Sequence, residues 1–100
     1  MVTIDVLVLL DVKDLKNRDI FEKHIKKEGF KLVENEDFVY SGISTTTYFS
    51  TKAYILEVFK KGLEKSGFSS ANLTFLLNEN SYLYYFDKNT NSFEEVKENE

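Results

Sequence analysis

Two stretches of this chain are near copies of one another. His24-Ile25-Lys26-Lys27-Glu28-Gly29-Phe30 and Gly62-Leu63-Glu64-Lys65-Ser66-Gly67-Phe68 each close an amphipathic run with Gly-Phe and lead toward β-rich sequence. A helix stopped by glycine and followed by strand-forming residues, twice in one chain, predicts a pair of βαβ units packed as one sheet with its helices. Gly29 and Gly67 are expected to adopt the left-handed conformation that ends a helix, with Phe30 and Phe68 folding back onto the core.

With 42% hydrophobic and 15% aromatic residues, 100 residues suffice for a single core without disulfides or metal staples. Residues 1–96 read as that domain and 97–100 as a frayed tail. The absence of cysteine removes disulfides, thiolate metal sites and a thiol nucleophile, and it suits a reducing cytoplasm, the expected location. The apolar run from Val2 to Leu10 contains Asp5, has no basic segment before it and is too short to cross a bilayer, so it reads as a strand and no membrane partner is expected. Net charge is −4, which disfavours strong non-specific nucleic-acid binding. The excess is local, however. Residues 1–65 carry 11 basic and 11 acidic side chains, whereas residues 66–100 carry 2 and 6.

Along the chain, Val2 to Asp11 predicts a central strand with Ile4, Val6, Val8 and Leu10 on one face and Leu7 and Leu9 on the other. Asp14 is the expected N-cap of a helix to about Glu28 that buries Leu15, Ile20, Phe21 and Ile25. Lys31 to Ser41 reads as a second strand bent around Glu34 to Asp37, with Gly42-Ile43-Ser44 as a hairpin connection. Thr45 to Phe49 reads as a third strand, since threonines and aromatics favour a pleated surface. Ser50 or Thr51 then caps a helix from Lys52 to Ser66 with Ile55, Leu56, Phe59 and Leu63 inward, and Gly62 predicts close helix packing. Leu73 to Leu77 forms the fourth strand. Ser81 to Phe86 and Phe93 to Val96 form a terminal hairpin around Asp87 to Asn91. The right-handed crossover rule then leads to an α+β fold, a ferredoxin-like βαββαβ antiparallel sheet with two helices on one face and a C-terminal β-hairpin extension.

Helices on one face leave the other face open. Leu7 and Leu9, together with Tyr82, Tyr84 and Phe86 of the hairpin, are the expected interface of a homodimer, because so many apolar side chains are poorly accommodated in water; the alternative is that the hairpin covers the sheet of its own chain. Asp11, at the carboxyl end of the first strand, is the one candidate catalytic and metal-binding residue: symmetry would bring two such carboxylates together around a hard divalent cation. His24, the only histidine, has no nucleophile or orienting acid identifiable beside it and reads as a partly buried helix residue. The hydroxyls of Ser41, Ser44 and Thr45 to Thr47 lack a glycine-rich phosphate loop or nucleophile elbow and read as turn and strand residues. The lysines of both helices, interleaved with Asp19, Glu22 and Glu28, read as a solvated face.

The layout of an aliphatic strand, Leu10-Asp11-Val12, a helix, Gly29-Phe30 and then Phe38-Val39-Tyr40-Ser41-Gly42 resembles the small CRISPR-associated ferredoxin-like endonucleases of spacer acquisition. It also resembles their relatives, the virulence-associated ribonuclease toxins and an RNA-cleaving antitoxin. The resemblance implies a homodimer, and metal-dependent nuclease activity in which Asp11 holds Mg or Mn. Glu34, Glu36 and Asp37 depart from the basic residues those nucleases offer near the second strand and would repel phosphate. The expectation is therefore a small homodimeric binding or regulatory module without a cofactor, acting on a protein partner or nucleic acid in a defence or toxin-antitoxin setting. A metal-dependent endonuclease is the alternative.

Overall fold

The computed structural model describes residues 3–96. Its elements are β1 (Ile4–Lys13), α1 (Arg18–Lys27), β2 (Lys31–Leu32), β3 (Val39–Ser44), α2 (Tyr48–Ser66), β4 (Ser70–Leu77), β5 (Asn80–Asp87) and β6 (Ser92–Glu95). The strands form one six-stranded sheet in the order β2-β3-β1-β4-β5-β6, every neighbouring pair antiparallel. The α+β class is as expected. No helix among the described residues is long and apolar enough to cross a membrane.

Strand alternation separates the faces of the sheet. Ile4, Val6, Val8 and Leu10 of β1 are buried beneath the helices with Leu73, Phe75 and Leu77 of β4. Phe21 and Ile25 of α1 and Ile55, Phe59 and Leu63 of α2 close this core from above. Phe59 meets Phe21, Phe30 and Tyr40 edge-on, with ring centroids 6.0, 5.4 and 5.6 Å apart. Each such ring removed from water contributes about 1.5–3 kcal/mol. Both Gly-Phe pairs sit at helix ends: Gly29 and Gly67 have φ of +102° and +83°. Gly67, at ψ 133°, lies outside the left-handed helical well and in backbone space open mainly to glycine. Phe30 is buried, and Phe68 packs edge-on against Phe86 at 5.0 Å.

Several boundaries differ from the sequence reading, each for a local reason. β1 continues through Val12 and Lys13 because β4 keeps pairing with it as far as Ser70. Asp14 is not a cap. It adopts φ +57° in a turn where its carboxylate accepts from the Ser69 hydroxyl, and Asn17 caps α1 instead by accepting from the Ile20 amide. Ile20 is exposed rather than buried, and His24 takes the inward position. The expected strand over 31–41 is two strands around a turn, with Asn35 and Phe38 at positive φ. Gly42, Ile43 and Ser44 belong to β3, opposite Val6, Asp5 and Ile4, and make no hairpin. Thr45 to Phe49 is no strand: Thr47 caps α2 by accepting from the Ser50 amide, so the helix starts at Tyr48 and not after Ser50 or Thr51. Met1, Val2 and the expected tail at 97–100 lie outside the described residues.

Candidate functional site

The helix-free face is where the sequence-derived site residues divide. β1 presents Asp5, Leu7, Leu9 and Asp11 there, with Leu7 and Leu9 remaining 36% and 38% exposed. Leu9 stands between Val39 of β3 and Thr74 of β4, and Leu83 of β5 lies beyond Thr74. Leu7 stands between Ser41 and Leu76. Tyr85 continues the face on β5 opposite Asn72, and Ile43 stands opposite Asp5. The result is a strip of half-exposed aliphatic and aromatic side chains across the middle of the sheet, with Asp5 and Asp11 on either side of the β1 leucines.

Of the expected interface residues, only Leu7 and Leu9 lie on this face. Tyr82, Tyr84 and Phe86 project to the helix side, where Tyr82 and Tyr84 stack on Phe75 at 5.4 and 5.6 Å and Phe86 packs against Phe68 and Phe93. Their intervening neighbours Leu83 and Tyr85 are the hairpin residues that join the leucines. An uninterrupted run, Tyr82-Leu83-Tyr84-Tyr85-Phe86, conceals which alternate set faces which way. The pairing of Thr74 with Leu83 resolves it.

Asp11 is on the open face one alternation beyond Leu9, opposite Asn72, and within β1 rather than at its end. Among the described residues, no group of three or more His, Cys, Asp or Glu side chains is placed to share a cation. His24 is buried, its Nε2 3.1 Å from the Val58 carbonyl oxygen. That contact requires Nε2 to carry the proton, so Nδ1 is the acceptor, and Lys65 Nζ donates to it at 3.4 Å. Both nitrogens are therefore engaged by the α1–α2 seam. Ser44 and Thr51 share a 2.6 Å hydroxyl contact at the foot of α2, and Thr51 also donates to the Thr47 carbonyl.

A second cluster, missed in the sequence, joins α1 to the β2–β3 turn. The buried Tyr40 hydroxyl donates to Glu22 at 2.6 Å, Arg18 lies 3.7 Å from the same carboxylate, and Arg18 also bonds Asp37 at 2.9 Å while lying over the Phe38 ring. Burial first, and then the bond to Glu22, pushes the Tyr40 phenol well above its ordinary range. Asp37, read as part of an acidic approach hostile to phosphate, is thus tied to a guanidinium. Between α1 and β2, beside this cluster, opens a cleft of about 710 Å³. A smaller one of about 330 Å³ lies at the β3–α2 junction.

Comparison with protein-family profiles, curated proteins and solved structures returned no match.

Proposed function

We propose that this chain is a self-associating, ferredoxin-like binding module in which two copies meet through their helix-free sheet faces. The order β2-β3-β1-β4, with α1 leading from β1 to β2 and α2 from β3 to β4, supports the ferredoxin-like reading of the first four strands. β5 and β6 extend that sheet. The observation carrying the self-association is the apolar strip itself: Leu7, Leu9, Leu83 and Tyr85 are each between a third and a half exposed on one surface, where a second copy would remove them from water. The module's work is regulatory binding to a protein or nucleic acid, in the defence or toxin-antitoxin setting that the resemblance implies.

Sedimentation of the purified chain at micromolar concentration is expected to give a dimer, and Leu9→Lys a folded monomer. A monomeric wild type would overturn the proposal. The endonuclease reading is favoured by one feature only, the exposure of Asp11 beside Leu9 on the same face, where association would bring two carboxylates close. No robust cleavage of RNA or DNA is expected with Mg²⁺ or Mn²⁺. Metal-dependent cleavage that disappears in a still dimeric Asp11→Asn variant would reverse the order of the two readings.

A further inference from the structure

Cross-strand pairing lays the helix-free face out in rows, and one row is apolar almost from edge to edge. Leu9 stands opposite Val39 and Thr74, and Leu83 lies beyond Thr74. The register of β2 on β3 carries on to Val33, whose amide donates to the Val39 carbonyl, and that of β5 on β6 carries on to Val96, whose amide donates to the Leu83 carbonyl. Five aliphatic residues and Thr74 thus reach from the β2 edge to the β6 edge, a span of about 24 Å at a strand spacing of about 4.8 Å. The rows on either side of this one differ. One holds Asp11, Asn72, Tyr85 and Glu94, and the other holds Lys31, Ser41, Leu7, Leu76 and Ser81.

Two sheets stacked face to face in the aligned manner keep their strands within about 30° of one another, so a two-fold axis between two copies runs either across the strands or along them. An axis across the strands reverses the sequence of rows. Placed through or beside the apolar row, it sets Asp11 on the partner's Leu7, Leu9 or Asp5, and each of these buries a carboxylate against aliphatic carbon or a second carboxylate. An axis along the strands keeps every residue at its own height, so each row meets itself in reverse order. The strand order β2-β3-β1-β4-β5-β6 has its middle between β1 and β4, and an axis on that seam sets β1 on the partner's β4 and β3 on the partner's β5. Leu7 then meets the partner's Leu76, Asp11 the partner's Asn72, Val39 the partner's Leu83 and Ser41 the partner's Ser81. Aliphatic meets aliphatic, hydroxyl meets hydroxyl, and the Asp11 carboxylate meets an amide able to donate to it. Lys31 and Glu94, on the outermost strands, fall at the solvated rim.

We propose that the second copy sits about a two-fold axis along the β1–β4 seam, with Leu7 and Asp11 of each copy against Leu76 and Asn72 of the other. This rests on the self-association proposed above and fixes which strands of the two copies meet. The chain has no cysteine, so introduced thiols report the contact without background. Val39→Cys and Leu83→Cys are prepared as separate single variants, each checked by sedimentation. They are treated with the short linker bismaleimidoethane, alone and after unfolding and refolding as a mixture, and resolved on a denaturing gel. Covalent dimers are expected from the mixture and not from either variant alone. With the axis on the seam, the two copies of Val39 are about 14 Å apart sideways as well as a sheet spacing of about 10 Å apart in depth, whereas Val39 and the partner's Leu83 are separated by the sheet spacing only. Cross-linking of Val39→Cys alone, or none in a mixture whose variants sediment as dimers, would overturn the seam axis and leave self-association standing. A wild type that sediments as a monomer would overturn both.

Discussion

Tyr40 brings together burial, hydrogen bonding and charge in one side chain. Its ring is buried within the aromatic core while its hydroxyl reaches Glu22, so the neutral phenol is favoured in the fold and its ionisation is raised above the ordinary value near 10. A group raised in this way contributes stability that is fully present below its unfolded value and is lost as pH climbs from there toward the folded value. Denaturant midpoints should therefore fall above about pH 10, and Tyr40→Phe should flatten that fall while costing about 1 kcal/mol at neutral pH. An alkaline profile for Tyr40→Phe superimposable on wild type would refute this. Little of the cluster was legible in the sequence, since Tyr40, Glu22 and Arg18 are joined only by the return of β3 beneath α1. The fate of His24 was closer to the surface of the sequence: a lone histidine on an amphipathic helix with no catalytic companions belongs in a helix seam, although its depth of burial depended on Gly62 facing it.

Among the elements, the helix seam is set by that glycine. A Cβ built on Gly62 would come within 3.0 Å of the Phe21 ring and 3.2 Å of His24 Cδ2, both buried. Gly62→Ala would gain up to about 1 kcal/mol in helix propensity but would wedge α1 from α2 at a cost of about 1–3 kcal/mol. A net loss of about 1 kcal/mol, seen as a melting temperature lowered by roughly 4–8 °C, is expected. Gly29 offers the contrast: nothing lies within 4 Å of its would-be Cβ, but φ is +102°. Gly29→Val should destabilise by about 1 kcal/mol or more through backbone strain alone, measurable in the same melts. Positive φ at the glycine of both Gly-Phe pairs was therefore readable directly from residue chemistry, whereas the extended ψ of Gly67, outside the expected left-handed helical well, was not. The Thr45 to Phe49 segment was not, because threonine serves both strands and helix caps, and the choice falls to the cap once β3 has run its full length against β1. The hairpin's facing was hidden for a related reason, as no polar residue interrupts Tyr82 to Phe86 to mark its parity.

At the scale of the molecule, the Cα radius of gyration is 13.1 Å, close to the ~13 Å of a compact domain of this length. Solution scattering should give a larger value for the wild-type dimer and fall toward the single-chain value in Leu9→Lys; equal radii for the two proteins would count against association through the open face. The sheet edges favour that face over lateral growth, because β2 offers only two residues and β6 four, including Glu94 and Glu95. The central position of β1 has a consequence in time. It is synthesised before either strand that flanks it, its partner β4 begins at Ser70, and synthesis at about 5–20 residues per second separates the two by several seconds. During that interval the nascent chain holds its most aliphatic strand without one of its two neighbours, while β4, β5 and β6 can zip together as soon as they emerge. Completion of the sheet therefore waits on the second half of the chain, and a ribosome stalled before Leu77 would hold a segment that chaperones recognise.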